Sequence, residues 1–211
     1  MSDIYPDPTV SGLALALQTP SDTQAISLEN MHRNAKQAIQ AFAHKHSHSL
    51  IESVGVTESD VEQIAPCTSL QEGIIYHFLS STTPMYCSSF TFELLPSVDL
   101  EKLRTAWEQT QSQVQMLRAR FSPSPDGYAQ VILKKDSLPW FHIGVDSDSK
   151  AEISQREQFE KWISRLEGLP TQLWEIGLVS SPGKNVMCLH IFHALYDGNS
   201  LELLLDLVSQ N

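Results

Sequence analysis

The sequence predicts a mixed α/β domain from about Val54 onward, and three observations carry that prediction. Helical and strand-like periodicities alternate along the segment rather than separating into blocks. Two breaker segments, Ser122-Pro123-Ser124-Pro125-Asp126-Gly127 and Ser181-Pro182-Gly183-Lys184-Asn185, punctuate it where strands need turns. No fixed period of about 20 to 50 residues recurs, so a solenoid is not expected.

Each element follows from local chemistry. Ser69-Leu70-Gln71-Glu72 has the S-x-x-E form of a capping box and predicts a helix to about Ser80. Tyr86 to Leu95 alternates as a strand does. Asp99 is a natural N-cap for a long helix, with Leu100, Leu103, Trp107, Val114, Leu117 and Phe121 on a helical period. After the first breaker, Tyr128 to Leu133 reads as a strand. Ile153 to Leu166 reads as a helix and Trp174 to Ser180 as a strand. The second breaker turns the chain into Val186 to His193, predicting an antiparallel pair. A last helix carries Leu201, Leu203, Leu204, Leu205, Leu207 and Val208, more large aliphatics than one buried stripe needs, so some are expected to face outward.

Upstream, Thr19-Pro20-Ser21-Asp22-Thr23 is turn-rich, and a helical pattern runs from about Leu28 to His44 with Met31, Ala35, Ala38, Ile39 and Phe42 near one face. The alternating histidines of His44-Lys45-His46-Ser47-His48 have no cysteine or acidic ligand beside them. A solvated helix end is the expectation there, rather than a metal site.

Composition narrows the function classes. The chain has 211 residues and a formal net charge of −11. That balance argues against nucleic acid or an anionic membrane surface, both of which need clustered Lys and Arg. No apolar run has the length of a membrane span and no signal-peptide pattern opens the chain, so the cytoplasm is the expected location. Cys67, Cys87 and Cys188 are odd in number and lie in apolar stretches, which predicts buried free thiols.

The most informative stretch is His190-Ile191-Phe192-His193-Ala194-Leu195-Tyr196-Asp197-Gly198-Asn199-Ser200. An apolar strand gives way at His193 to a turn at Asp197-Gly198, after which Asn199 can cap a helix. A rigid strand end steadies an imidazole while the loop leaves room for substrate. His190 and His193 form H-x-x-H, but residues three apart on a strand point to opposite faces, so a shared zinc is not expected. No G-x-S-x-G elbow supports a serine hydrolase.

His193-Ala194-Leu195-Tyr196-Asp197-Gly198 resembles the second half of the HHxxxDG signature of nonribosomal peptide synthetase condensation domains. Pro66-Cys67-Thr68-Ser69-Leu70-Gln71-Glu72-Gly73 is similar to the opening motif of that family in its fungal form, and Leu117-Arg118-Ala119-Arg120-Phe121 to the end of its R-H-x-x-L-R-x-x-F motif. The resemblance spans about Val54 to Val208. It departs at Phe192, where the signature has its first histidine, and at Gln113-Val114, where the second motif has Arg-His. Asp3 to Ala14 resembles the closing segment of a thiolation (carrier) domain. The resemblance therefore implies a carrier-domain remnant over residues 1–18, a linker and approach helix over 19–53, and a condensation-domain N-terminal lobe over 54–211.

The implied fold is a chloramphenicol-acetyltransferase-like α/β sandwich, one lobe of a two-lobed domain. The implied reaction is amide formation between two carrier-bound thioesters. His193 would position or deprotonate the acceptor amine, and a backbone N–H near Gly198 would stabilise the oxyanion. Asp197 is expected to form a structural ion pair with Arg118. No bound cofactor is implied, because substrates arrive on the phosphopantetheine of carrier domains. Implied partners are those carriers and a second, C-terminal lobe, with self-association through an exposed lobe face. The contrasting reading is a noncatalytic carrier-binding module, for which Phe192 and the single lobe speak.

Overall fold

A computed structural model describes residues 22–166, 169 and 171–211. The carrier-like segment Asp3 to Ala14 lies outside the described residues. The chain divides into two compact units, residues 1–42 and Ala43–Asn211. One helix, α1 (Asp22–Val54), crosses that division and is longer at both ends than its periodicity predicts. Its Met31, Ala35 and Ala38 are exposed.

Within the larger unit the order is β1 (Val61–Pro66), α2 (Ser69–Ser80), β2 (Cys87–Leu94), α3 (Leu100–Gln113), β3 (Ala119–Ser124), β4 (Gly127–Leu133), β5 (Trp140–Gly144), α4 (Asp148–Arg165), β6 (Trp174–Ser180), β7 (Asn185–Phe192) and α5 (Gly198–Gln210). Short 3₁₀ turns at Gln115–Arg118 and His193–Leu195 precede β3 and follow β7. The strands form two sheets: three strands in the order β1-β4-β3, and four in the order β2-β7-β6-β5. All neighbours are antiparallel except β5 and β6, which run parallel because α4 crosses between them.

Strands β6 and β7 are buried almost throughout, as strands covered on both faces must be. Trp107, Trp162, Trp174, Phe121 and Phe192 fill the core, each contributing on the order of 2–3 kcal/mol by leaving water. The buried Trp174 indole donates to the Leu117 carbonyl at 2.7 Å, tying β6 to the turn before β3. Gly177 on β6 is required by packing: a Cβ there would sit 1.9 Å from the Phe141 ring.

Several boundaries differ from expectation, each for a physical reason. The helix expected from Leu100 through Phe121 stops at Gln113, where Val114 turns extended. Leu117 and Phe121 still reach the core, from the 3₁₀ turn and from β3. Most of the first breaker is strand: Ser122-Pro123-Ser124 closes β3, where an edge strand tolerates a proline. The turn narrows to Pro125-Asp126, and Gly127 follows at φ +111°, with a Cβ position 2.3 Å from Glu72 Oε1. The N-cap of α2 is Thr68 rather than Ser69, with Gln71 completing the capping box. Asp197, not Asn199, caps α5, with Ser200 closing its box.

The larger unit holds the last part of α1 through polar contacts. Lys45 Nζ and His46 Nε2 meet Asp126 Oδ2 at 2.5 and 2.7 Å, and Ser53 meets Ser122 at 2.5 Å. The histidine cluster thus provides an ion-pair anchor. Among the described residues, no group of three or more His, Cys, Asp or Glu could hold a metal ion. No described helix is long and apolar enough to cross a membrane. All three cysteines are free; Cys188 is buried, whereas Cys67 and Cys87 are half-buried.

Candidate active site

Strand β7 ends at Phe192, and the next residue begins the 3₁₀ turn that carries His193. The pairing Cys87↔Phe192 is the last of the β2–β7 ladder, so Tyr86 lies opposite His193 one step beyond it. The His193 N–H donates to the Tyr86 carbonyl at 2.8 Å. The Tyr86 ring lies nearly parallel to the imidazole, 9° between planes and 6.2 Å between centroids. Tyr196 presents its edge or face at 4.6 Å and 64°, and its own hydroxyl is fixed on Ser88 Oγ at 2.8 Å. Nδ1 of His193 is buried without a partner.

The opening motif supports this turn from beneath. Cys67 N–H donates to the Tyr128 carbonyl at 2.8 Å, and Glu72 Oε1 accepts the Tyr128 N–H at 3.1 Å. Gln71 accepts the Thr68 N–H at 2.9 Å through Oε1 and donates from Nε2 to the Ala194 carbonyl at 3.2 Å. The motif thus clamps β4 on one side and the His193 turn on the other. Sequence reasoning matched these residues to a motif without assigning them this task. Tyr86 and Ser88 were missed altogether, because only their pairing opposite the end of β7 gives them significance.

Phe192 is fully buried and packs edge-on against Phe78 at 5.1 Å. It belongs to the core and not to the exposed side of the turn that carries His193. His190 is also fully buried, on the face toward α4, with Phe159 at 5.2 Å and Glu175 Oε1 at 3.3 Å from its Nδ1. Glu175 in turn meets Arg165. His190 and His193 are thus in separate environments.

The expected pair between Asp197 and Arg118 is not formed. Arg118 is buried, with its guanidinium on Glu62 Oε2 at 2.6 Å and on the carbonyls of Gln111, Ser112, Leu133 and Lys134. Asp197 is exposed, and its Oδ1 accepts the Ser200 N–H at 2.8 Å as the cap of α5. Each group is saturated locally, which leaves no reason for the two to meet. The Ser200 N–H, then the Ser200 hydroxyl, hold the Asp197 carboxyl below the usual carboxylate range. A second ion pair, Arg120 with Asp136, is more fully buried and stiffens β3. Gly198 opens α5; a Cβ there would meet nothing within 4 Å, so the turn itself does not demand glycine and the space stays open.

A class of protein follows from this fold and site: a two-sheet mixed α/β lobe with a histidine held at the end of an interior strand. The Condensation domain family model matches residues 61–210. The chain is 42% identical over 200 residues to a nonribosomal peptide synthetase sidC of Arthroderma benhamiae, a match covering 95% of this chain and 4% of that protein. It is 38% identical over 206 residues to nonribosomal peptide synthetase 2 of Gibberella zeae, covering 97% and 4%. The starter condensation domain of the rhizomide synthetase superposes with a TM-score of 0.56 at 15% identity, over 70% of this chain and 36% of that one. The epimerization domain from the third module of tyrocidine synthetase B gives 0.60 at 15%, over 72% and 35%.

The chain belongs to the condensation-domain family, and its fold is that of a chloramphenicol-acetyltransferase-like lobe. It spans about 4% of the length of these two curated relatives and somewhat over a third of these two structural ones.

Proposed function

We propose that this chain is the N-terminal lobe of a condensation domain from a fungal siderophore synthetase, and that the parent forms amide bonds between carrier-bound thioesters. The carrying observation is His193, fixed at the end of β7 by Tyr86 and Tyr196 with Nδ1 enclosed. In the reaction, Nε2 orients the acceptor amine or takes its proton as nitrogen attacks the thioester carbonyl. A C–N bond forms, the C–S bond breaks, and the thiolate leaves with a proton. A backbone N–H near Gly198, at the start of α5, would stabilise the developing oxyanion.

Sequence similarity supports residues 1–18 as a carrier-domain remnant, 19–53 as linker and approach helix, and 54–211 as the lobe. The product class rests on the coprinoferrin synthetase of Coprinopsis cinerea and the sidC proteins among the relatives. Substrates arrive on carrier phosphopantetheine in the cytoplasm, and the lobe itself holds no cofactor. Leu203 on α5 is 68% exposed, an apolar surface suited to the second lobe or, in its absence, to another copy of the chain.

The test mixes two loaded carrier proteins with this chain, and separately with the chain extended through a second lobe, and looks for the dipeptidyl thioester by mass spectrometry. Product only from the two-lobed form is expected, because one wall of the substrate channel is otherwise missing. A two-lobed protein that binds both carriers and yields no product would favour the noncatalytic reading.

A further inference from the structure

We propose that Tyr86 is a positioning residue that sets the direction of the His193 imidazole. Its backbone has φ +63°, a left-handed conformation that an aromatic residue rarely takes. That conformation lets one residue make two contacts with His193: the carbonyl accepts its N–H at 2.8 Å and the ring lies parallel to the imidazole. Core packing does not explain the conformation, since Tyr86 is 37% exposed. The ring also continues a row of side chains over the site, with His77 at 6.4 Å from Tyr86 and Tyr76 at 5.6 Å from His77.

The imidazole needs this help. Its Nδ1 has no hydrogen-bond partner to fix the ring, in contrast to His190, whose Nδ1 faces Glu175. Orientation about χ1 and χ2 therefore rests on contact with Tyr86 and Tyr196. Tyr196 is held through Ser88 Oγ at 2.8 Å, and Tyr86 through its own unusual backbone. An aromatic side chain standing at a left-handed position where glycine would be easier points to a task for the ring.

The inference rests on the reading of His193 as the reacting imidazole, and its first test is independent of any reaction. The chain is labelled with ¹³C,¹⁵N-histidine, and the His193 signals are assigned by their loss in His193→Gln. Tyr86→Phe is expected to leave the His193 ring-proton shifts and its rate of carbethoxylation by diethyl pyrocarbonate unchanged. Tyr86→Gly, which relieves the backbone, should melt no lower than the parent. Its His193 signals should nevertheless move toward free-histidine values, and its carbethoxylation should be several-fold faster. Should the glycine variant lack a cooperative melt, Tyr86→Asn, also tolerant of positive φ, is read by the same two signals.

Unchanged His193 shifts and modification rate in the glycine or asparagine variant would overturn the proposal, as would a Tyr86→Phe variant that behaves like glycine. In the two-lobed protein, Tyr86→Gly should lower kcat by about 10- to 100-fold with KM held. A clear spectroscopic effect together with full amide formation by His193→Gln would instead overturn the acyl-transfer reading and leave the positioning role standing.

Discussion

The side-chain amide of Gln71 donates to the carbonyl of Ala194 at 3.2 Å, joining two motifs that are 123 residues apart in the chain. The same amide accepts the Thr68 N–H, so one side chain caps α2 and ties down the turn that carries His193. The two duties can be separated. Gln71→Glu keeps an oxygen for the Thr68 N–H but has no donor for Ala194. It should lower the melting temperature by only a few degrees, consistent with a net hydrogen bond of about 1 kcal/mol, while condensation in the two-lobed protein falls markedly. Calorimetry beside single-turnover kinetics makes the comparison, and parallel losses in both would show that Gln71 acts through stability alone.

Arg118 and Asp197 should behave as independent sites. Arg118→Ala removes a buried guanidinium that serves Glu62 and four backbone carbonyls, and should cost about 3 kcal/mol or more. His193→Ala should cost far less, because it removes no buried ion pair. In double-mutant cycles read by urea denaturation, Arg118 with Glu62 should couple and Arg118 with Asp197 should be additive. Coupling between Arg118 and Asp197 would mean that the pair forms in solution.

Acid should loosen the lobe, because several of its carboxylates are held below their usual range. The Arg118 and Gln115 side chains lower the Glu62 carboxyl, Lys45 and His46 lower that of Asp126, and Ser200 lowers that of Asp197. A depressed carboxylate favours the folded state above its unfolded pKa, and that contribution disappears as pH falls through the folded value. Melting temperature should therefore hold down to about pH 4.5 and drop below about pH 4. Asp126→Asn should start lower at pH 6 and show a shallower acid limb; an unchanged limb would remove Asp126 from the account.

The thiols should be unreactive in the folded chain. Burial pushes Cys67 and Cys87 up to about 12 and Cys188 to about 11, leaving almost no thiolate near neutrality. Iodoacetamide at pH 7.5 should label none of them within minutes and all three once urea unfolds the chain. Rapid labelling of Cys67 or Cys87 in the native state would show that their half-buried setting opens.

Much of this arrangement was legible in the sequence, and the exceptions share a cause. The helices α2 to α5, the strands β2, β4, β6 and β7, and the placing of His193 at a strand end all follow from period and turn chemistry. Strands β1 and β5 carry weak local signals: Val61–Pro66 mixes polar residues and ends in proline, and Trp140–Gly144 has five residues. Strand β3 is masked because Leu117 and Phe121 continue the helical spacing of α3 and reach the same core from non-helical backbone. The ion pair assigned to Arg118 shows the limit most clearly. The family resemblance implies Asp197 as its partner, yet Glu62 reaches it from β1, 56 residues upstream, and only the tertiary fold brings that carboxylate there.

The role of His193 is tested most directly by single-turnover amide formation in the two-lobed protein, with wild type and His193→Gln compared between pH 6 and 9. The account predicts that His193→Gln binds both loaded carriers as wild type does, melts within a few degrees of it, and forms dipeptidyl thioester at least about 100-fold more slowly. Product formed by His193→Gln at the wild-type rate, from a folded protein with both carriers bound, would contradict it.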